Sequence, residues 1–427
     1  MPLCHALICA CLLTQILVSP LAVAGDWAQW RGPQRDGGSD EVGLLEAWPA
    51  GGPPRLWMFE DCGIGYSGPA IVGKRLYTMG ARNGEEQLIC LDTDSGRELW
   101  SKSLGPLFED SWGDGPRSTP TIDGKMIYAF SASGNLVCLR ADDGAVIWTK
   151  AMQDLGGEVP NWGYTESPLV VEGKVLCTPG GSQGTIAALD RQSGEVIWQS
   201  AELTDPAHYS SIVLMDHGGK TVCVQLLEKQ LVGVDLADGK LLWSTPWPGS
   251  VAVVPTPVVS KNQVYVTAGY GAGCKLITLD DQQGVEIVYE NKRMVNHHGG
   301  AILLDDHVYG YSDGKGWTCQ EFATGDKAWH EKRALGKGAI AYADGHFYCI
   351  SEDDGEVALI KASPAGWEEL GRFTLEPQTE LRKPKGKIWT HPVISGGRLY
   401  LRDQDLVYCY DVTQKSVATR SAAASAK

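Results

Sequence analysis

The sequence has no adjacent pair of cysteines, and after residue 24 it has neither a Cys-x-x-Cys spacing nor a long apolar run. Attachment of a c-type haem and a zinc ribbon both need Cys-x-x-Cys, so neither is compatible with this part of the chain. A helix that crosses a bilayer needs about 20 apolar residues, so no transmembrane segment is expected after residue 24. The sequence therefore predicts a globular protein without these modules.

Positive charge is also scarce. The chain has 37 Lys and Arg residues against 52 Asp and Glu residues, which gives a formal net charge of −15. An acidic surface repels phosphate backbones, so no nucleic-acid partner is expected. We expect a protein or glycan partner instead, and we expect the chain to be a monomer.

Charged residues are missing from the first 24 positions, and residues 7–18 are almost wholly apolar. Ala22-Val23-Ala24 then supplies the kind of sequence that a signal peptidase accepts. This pattern predicts a signal peptide over residues 1–24, cleaved before Gly25, with export to the periplasm or the cell envelope. A membrane anchor is the alternative, although the apolar run is short for a bilayer and Gln15 interrupts it.

Nine of the twelve cysteines lie after the predicted signal peptide. An odd number of cysteines in an exported chain cannot all pair within that chain. Most of them lie inside apolar, strand-like runs, such as LIC at Cys90 and VLC at Cys177, where a thiol packs as a small hydrophobic group. Mostly free, buried thiols are therefore predicted in place of a disulfide framework.

A ten-residue phrase recurs at intervals of 40 to 50 residues. Its first strand leads into an Asp-x-x-x-Gly turn, and the next strand ends on an aromatic residue; glycine suits the turn because hairpin turns often need a positive φ. A second hairpin with alternating apolar residues precedes each phrase. The clear copies are LDTDSGRELW, LRADDGAVIW, LDRQSGEVIW and VDLADGKLLW, which end at Trp100, Trp148, Trp198 and Trp243, and weaker copies end at Tyr289, Trp329 and Phe373.

The last hairpin, at about residues 391–401, is followed by LVYCYDV but by no aromatic anchor. The N-terminal PRLWMFED places Trp57 one interval before Trp100 and can supply the missing strand. The sequence therefore predicts an all-β fold, an eight-bladed β-propeller of four-stranded antiparallel blades whose last blade is closed by an N-terminal strand. The expected domain boundaries are an N-terminal extension at 25–53 that packs across the outside, a single propeller at 54–412 and a disordered tail at 413–427.

The repeated Asp-x-x-x-Gly-x-x-x-Trp phrase resembles the tryptophan-docking motif of the PQQ-repeat, or quinoprotein-like, β-propellers over residues 54–412. The segment WAQWRGPQRDG, from Trp27 to Gly37, is similar to the opening of secreted bacterial proteins with this repeat. The family includes PQQ-dependent alcohol and sugar dehydrogenases and also non-enzymatic proteins such as the outer-membrane assembly factor BamB. Membership therefore implies the fold but does not choose between these roles.

The loops that lead into the innermost strands converge at one mouth of a propeller, and here they contain many aromatic and polar residues. The alternative is that the polar residues are there because loops are exposed to solvent, and that the aromatic residues only cap the packing of the blades. Adjacent residues of a strand point to opposite faces, so His297 and His298 do not predict a metal site. Aligned by repeat, one position of the ring is occupied by Tyr66, Arg117, Thr165, Tyr209, Val254, His298, Lys337 and Trp389. The predicted ligand-binding residues are Tyr66, Arg117, Trp162, Tyr164, Glu166, Tyr209, His298, Lys337 and Trp389.

The favoured hypothesis is an exported binding or scaffold protein that uses the channel mouth or a blade face. The alternative is a PQQ- and calcium-dependent alcohol or sugar dehydrogenase. The resemblance would then require a catalytic Asp, calcium held by Glu and Asn, and often a disulfide between adjacent cysteines, a pair that this chain lacks. Glu166 and Asn161, with Asp110 or Asp114, have the right side chains at no fixed spacing, so catalytic residues stay unassigned.

Overall fold

The computed structural model describes residues 25–414, so the predicted signal peptide at 1–24 and most of the predicted tail, 415–427, lie outside the described residues. Within this range the chain forms β-strands and one 3-10 helix at Met152–Leu155. No helix of the described range has the length and apolar character needed to cross a membrane. The strands are β1 (Gly38–Ser39), β2 (Arg55–Phe59), β3 (Ala70–Val72), β4 (Arg75–Arg82), β5 (Glu85–Asp92), β6 (Glu98–Pro106), β7 (Thr121–Asp123), β8 (Met126–Phe130), β9 (Asn135–Arg140), β10 (Val146–Ala151), β11 (Leu169–Val171), β12 (Lys174–Cys177), β13 (Ala187–Asp190), β14 (Val196–Gln199), β15 (Val213–His217), β16 (Lys220–Leu226), β17 (Gln230–Asp235), β18 (Leu241–Pro246), β19 (Val258–Ser260), β20 (Gln263–Ala268), β21 (Gly273–Leu279), β22 (Val285–Asn291), β23 (Ala301–Leu304), β24 (His307–Ser312), β25 (Gly316–Glu321), β26 (Lys327–Glu331), β27 (Gly338–Ala343), β28 (His346–Ser351), β29 (Glu356–Lys361), β30 (Glu369–Thr374), β31 (Val393–Ser395), β32 (Arg398–Asp403) and β33 (Leu406–Asp411).

These strands form eight sheets, each of which is one blade of a β-propeller. Blades 1 to 7 are built from four consecutive strands, beginning with β3–β6 and ending with β27–β30, and neighbouring strands within a blade are antiparallel. The first strand of a blade contacts the first strand of the next, as β3 contacts β7 and β23 contacts β27, so the first strands form the inner wall of the ring. The predicted fold class is confirmed.

Blade 8 is assembled from both ends of the chain. Its inner strands are β31, β32 and β33, and β2 pairs antiparallel with β33 as the outer strand. Trp57 lies opposite Cys409, and Phe59 lies opposite Val407. The predicted closure by an N-terminal strand is therefore confirmed, and it covers the β33 edge that would otherwise be open for aggregation.

Each blade has a β-bulge in its outer strand. In seven blades the bulge lies just before the predicted aromatic anchor, whereas in blade 7 it lies before Gly371, so Phe373 does not occupy the predicted anchor position.

In blade 2 the pairing register shifts between Val146 and Trp148, and such a bulge re-aims the side chain that follows it. Trp148 then donates its indole N–H to the backbone oxygen of Arg191 in blade 3 at 3.1 Å. Trp198 of blade 3 donates in the same way to Leu236 of blade 4 at 3.0 Å. The anchors therefore join each of these blades to the next.

At five of the eight blade junctions the glycine of the repeated turn receives the anchor ring of the preceding blade. Gly194 has a φ of 72°, and a Cβ at this position would lie 2.7 Å from the ring of Trp148. Gly239 repeats the arrangement with a φ of 76° and with Trp198 at 2.5 Å. Glycine is thus required at this turn for two reasons. The backbone is left-handed, and an aromatic face occupies the space that a side chain would need.

The N-terminal extension was expected to pack across the outside, and for residues 27–39 that expectation is wrong. This segment, here called the strap, runs across the inner wall of the ring. Trp27 exchanges two backbone hydrogen bonds of 2.8 Å with Ile71 on the inner strand of blade 1. At its other end β1 adds in parallel to β27, the inner strand of blade 7. The strap crosses the ring because free backbone groups of the inner strands are available to it.

Two buried arginines fasten the strap between these ends. Arg31 Nη2 donates to the backbone oxygen of Ala301 in blade 6 at 2.6 Å, and Arg35 Nη2 donates to the oxygen of Ser167 beside blade 3 at 2.7 Å. Burial lowers the pKa of both side chains to about 10, which leaves them cationic at neutral pH. Charge-assisted bonds to carbonyl groups offset part of the cost of burying these cations.

The later part of the extension does follow the outside of the ring. The backbone N–H of Leu45 donates to Val412 at 2.8 Å, and that of Trp48 donates to Leu370 on the outer strand of blade 7 at 2.9 Å. Trp48 also packs edge-on against Phe373, with ring centroids 5.3 Å apart. Residues 45–48 therefore cover an outer edge, as the sequence predicts.

All nine cysteines between residues 25 and 414 are free and buried. Cys90 lies opposite Trp100 within blade 1, and Cys409 lies opposite Trp57 within blade 8. The prediction of mostly free thiols that pack as small hydrophobic groups is therefore confirmed for this range.

Replacing Gly194 by Ala tests the docking of the anchor ring. We predict that Gly194→Ala lowers the free energy of unfolding by about 1 kcal/mol for the positive φ and by a further 1–3 kcal/mol for the displaced Trp148 ring. Gly173→Ala is the matched control, because Gly173 has a φ of 78° but nothing within 4 Å of an added Cβ. Urea unfolding measures both losses. Equal losses in the two variants would show that the ring contact does not contribute.

Two N-terminal deletions separate the strap from the closing strand. We predict that deletion of residues 25–53 lowers the melting temperature while the protein stays soluble, since β2 still closes blade 8. Deletion of residues 25–62 also removes β2, exposes the edge of β33 and is expected to cause aggregation. Thermal unfolding and light scattering measure the two effects. An unchanged melting temperature after either deletion contradicts the assignment of that segment.

Candidate functional site

A loop leads into the inner strand of each blade, and five of these loops end in a proline. Proline has no N–H to donate, so it suits the point where strand pairing begins. Hydroxyl groups link the loops of neighbouring blades: the N–H of Thr119 donates to Ser167 Oγ at 2.9 Å, and the N–H of Ser167 donates to Ser211 Oγ at 3.0 Å. These bonds hold the loops of blades 2, 3 and 4 at one level of the ring.

The loops surround a cavity of about 330 Å³, here called the axial cavity. Its size falls in the range of small-molecule sites, and most of its lining is aromatic or aliphatic. The residues that line it are Trp30, Tyr66, Trp112, Arg117, Trp162, Thr165, Tyr209, Ser211, Ala252, Val254, Tyr270, His297, His298, Trp389 and His391.

Seven of the eight ring positions identified by repeat alignment line this cavity. The exception is Lys337 of blade 7. Its neighbours in the ring, His298 of blade 6 and Trp389 of blade 8, lie with their rings only 5.0 Å apart. These two side chains meet across blade 7, so Lys337 occupies the predicted position in the ring but is not part of the lining.

Aromatic rings form a continuous series along one side of the cavity. The rings of Tyr66 and Trp389 are 4.9 Å apart, and Trp389 is followed by His298. His297 lies 3.7 Å from His298, and Tyr270 lies 4.5 Å from His297. Rings arranged in this way offer π faces and edges to a flat ligand.

Arg117 is held between two aromatic rings at the other end of this series. Its guanidinium lies 5.6 Å from the centroid of Tyr66 and 5.2 Å from that of Phe108. Its Nη atoms donate to the backbone oxygens of Gly115 and Gly113. Burial lowers the pKa of Arg117, but an arginine pKa starts so high that the side chain stays cationic. Arg117 is therefore a fixed positive charge in the cavity wall.

The three histidines of the lining are neutral at physiological pH. Burial lowers the pKa of His298 and that of His391 to about 3, and it also lowers the pKa of His297. Lys337 lies behind His297, donating from Nζ to His297 Nδ1 at 2.9 Å and pairing with Asp313 at 2.8 Å. Because an ammonium group can only donate, neutral His297 carries its proton on Nε2. These rings present polar edges without a charge.

Tyr164 and Glu166, two of the predicted ligand-binding residues, lie outside the cavity lining and inside the blades. Tyr164 donates its hydroxyl to the backbone oxygen of Pro179 at 2.9 Å, and Glu166 accepts the N–H of Thr178 at 2.8 Å. Both flank Thr165, which does line the cavity, and side chains alternate between faces along an extended chain. The structure thus brings together Tyr66, Arg117, Trp162, Tyr209, His298 and Trp389 of the predicted set.

Trp30, Trp112 and Tyr270 line the cavity but are absent from the predicted ligand-binding set. Trp30 belongs to the strap, donates its indole N–H to Thr256 Oγ1 at 2.9 Å and lies 4.7 Å from the ring of His391. Its signal was the WAQWRGPQRDG segment, which lies outside the repeat. Tyr270 follows a strand and has a φ of 54°, which a repeat alignment does not reveal.

The residues around the cavity do not fit a calcium-bound quinone. Calcium takes about six to eight oxygen ligands, many of them carboxylates, and the lining has no Asp, Glu, Asn or Gln side chain. Asp114 is paired with Lys383 at 2.7 Å, Glu166 is inside blade 3, and Asn161 is exposed. Within residues 25–414 no group of three or more His, Cys, Asp and Glu side chains is arranged to hold a metal ion.

The chain matches the family model described as outer membrane protein assembly factor BamB over residues 54–129 and 84–360. No curated protein sequence matches it significantly. Three solved structures show the same fold at low identity. BamB from Moraxella catarrhalis is 18% identical, covers 84% of this chain and 99% of its own, and has a TM-score of 0.60.

Quinohemoprotein alcohol dehydrogenase from Comamonas testosteroni is 12% identical, with coverage of 91% of this chain and 80% of its own and a TM-score of 0.61. The computationally designed Ika8 protein is 13% identical, with coverage of 84% and 100% and a TM-score of 0.58. At these identities the similarity establishes the propeller fold alone.

Buried Glu166 makes stability depend on pH. Burial raises the pKa of its carboxyl from 4.5 to about 8. The folded protein therefore holds this proton more tightly than the unfolded chain, so the contribution to stability is complete below pH 4.5 and is lost as the pH rises towards 8. We predict that Glu166→Gln removes part of the fall in melting temperature across this range. The same change at exposed Glu158 should leave the profile unaltered, and a profile of Glu166→Gln that follows the wild type would contradict the assignment.

Proposed function

The chain belongs to the family of the outer membrane protein assembly factor BamB, and we propose that it is an exported binding protein that takes its ligand into the axial cavity. In this proposal residues 1–24 are the export signal, and the mature protein is located in the periplasm or at the cell envelope. The partner is a protein or a small molecule that presents a group of suitable size to the mouth.

The observation that carries this proposal is the aromatic lining of the axial cavity. Aromatic side chains usually pack between blades in this fold, as Trp148 and Trp198 do. Tyr66, Trp112 and Trp389 instead line a cavity of about 330 Å³, and Trp112 is an exposed tryptophan. Apolar surface left open to solvent in a concave site is typical of ligand binding.

The strap supports the same proposal. The strap lies outside the repeat and brings Trp30 to the cavity. Two buried arginines, Arg31 and Arg35, hold the strap in place. A strap that only fastened the ring would not need an aromatic side chain in the cavity lining. Its sequence is therefore consistent with a site that is completed from outside the eight blades.

The alternative function, a PQQ- and calcium-dependent dehydrogenase, has less support. The dehydrogenase from Comamonas testosteroni shares the fold, but so does a designed protein. The cavity lining lacks the carboxylate and amide oxygens that calcium would need. We therefore favour binding without a quinone.

A neutral bicyclic probe, 2-naphthol, tests whether the axial cavity binds a ligand at all. We predict saturable binding by isothermal titration calorimetry and loss of that binding in Trp389→Ala, which removes one face of the lining. The melting temperature of Trp389→Ala should stay within about 2–4 °C of the wild type, as for a change of about 1 kcal/mol.

Trp198→Ala is the matched control, because Trp198 is an anchor between blades 3 and 4. Truncation of a buried tryptophan costs about 3–5 kcal/mol, so this variant should melt earlier and still bind 2-naphthol. Binding that is absent in the wild type, or that is the same in Trp389→Ala, contradicts the proposed function.

A further inference from the structure

We infer that the axial cavity takes a flat apolar molecule with a single anionic group, such as an aromatic carboxylate, and takes it without a metal ion. This inference rests on the proposed function and specifies the chemical class of the ligand. It follows from the charges, donors and ring faces of the lining.

The axial cavity has one formal charge, and that charge is positive. Arg117 is the cationic residue of the lining, and no Asp or Glu lines the cavity. His297, His298 and His391 are neutral because burial lowers the pKa of each. A ligand with one negative charge would therefore match the charge of the site.

Arg117 still has hydrogen-bond donors to offer. A guanidinium has five N–H donors, and Arg117 uses one for the oxygen of Gly115 and one for that of Gly113. Both acceptors are neutral backbone groups, and Arg117 forms no ion pair within residues 25–414. Nearby carboxyl groups, with that of Asp110 foremost, attract Arg117 without forming an ion pair with it. Its remaining donors are therefore available to a ligand carboxylate, which accepts short, strong bonds from arginine.

The rim of the axial cavity carries charges of both signs. Lys385 Nζ lies 5.2 Å above the ring of Trp112, which lines the cavity, and Lys385 forms no ion pair within the described range. Lys383 is also at this rim and is neutralised by Asp114. Lys385 therefore adds a cation at Trp112, while Asp110 on the loop of Trp112 is an acidic group, so the charge of the rim is mixed in a protein with a net charge of −15.

The ring faces set the shape of the ligand. Tyr66 and Trp389 are tilted by 42° with centroids 4.9 Å apart, and Arg117 lies beside Tyr66. An arene against these rings would place a substituent within reach of the guanidinium. The combination of ring faces with one adjacent cation suits a flat apolar body that carries an anionic end.

Other ligand classes fit less well. Aromatic cages also bind quaternary ammonium groups, but Arg117 would repel such a cation. A glycan presents many hydroxyl groups, and the lining has no carboxylate or amide side chain to accept them. A quinone with calcium would need oxygen ligands that the lining does not supply.

Naphthalene-2-carboxylate and its neutral amide, naphthalene-2-carboxamide, form the decisive pair of probes. Isothermal titration calorimetry with the full chain should show at least about tenfold tighter binding of the carboxylate, as expected for a hydrogen bond to a charged group. The preference should be unchanged by EDTA or by added calcium. PQQ with calcium should give neither tight stoichiometric binding nor dye reduction with alcohols.

Arg117→Gln should abolish the preference, so that the carboxylate and the amide bind about equally, and it should leave the affinity for the amide unchanged. Arg117→Lys keeps the charge but loses the planar fork, so it should keep part of the preference. Arg97→Gln is the matched control, because Arg97 is an exposed arginine in the outer turn of blade 1 and should have no effect. Since the wild-type comparison needs no variant, the test survives if Arg117→Gln folds poorly.

The outcomes separate this inference from the proposed function. Equal binding of carboxylate and amide, or a preference that persists in Arg117→Gln, overturns the anion inference while binding through the cavity stands. Binding of 2-naphthol without binding of the carboxylate has the same meaning. If 2-naphthol, naphthalene-2-carboxylate and naphthalene-2-carboxamide all fail to bind, both the proposed function and the anion inference are contradicted. Carboxylate binding that requires calcium, or turnover with PQQ, overturns the metal-free assignment.

Discussion

Five of the eight blade junctions share one contact, the docking of an aromatic anchor on a glycine of the next blade. The bulge before Trp148 turns the ring towards Gly194, and the indole N–H then reaches the oxygen of Arg191 beside it. The turn, the bulge and the anchor therefore form one unit of sequence, which explains why they recur together. Successive units set the spacing of the blades, and Trp57 completes the series by donating to Thr93 of blade 1 at 2.7 Å.

Ring closure by this contact creates the inner space in which the cavity lies. The inner strands leave backbone groups free, and the strap bonds to several of them, from Ile71 in blade 1 to Tyr342 in blade 7. The strap therefore serves two purposes: it ties blades together across the ring, and it delivers Trp30 to the cavity. The same cavity then combines a rigid aromatic wall with the single cation of Arg117.

The repeat made the fold and much of the cavity predictable, because equivalent positions in eight blades lie at one depth. Tyr66 and Trp389 were found for that reason. Lys337 has the predicted position in the ring but lies behind the lining, since its ammonium group bonds to His297 and pairs with Asp313, and a repeat alignment does not report such side-chain contacts. Glu166 was misplaced because its neighbour Thr165 takes the inward face. Trp30 lies outside the repeat, so its place depends on tertiary contacts alone.

The most direct test of the central claim is a crystal structure of the protein with naphthalene-2-carboxylate. The account predicts ligand density in the axial cavity, with the ring system against Tyr66 and Trp389, the carboxylate within hydrogen-bond distance of Arg117, and no metal ion beside it. Density between the blades or on their outer faces, or a carboxylate directed away from Arg117, would contradict the account.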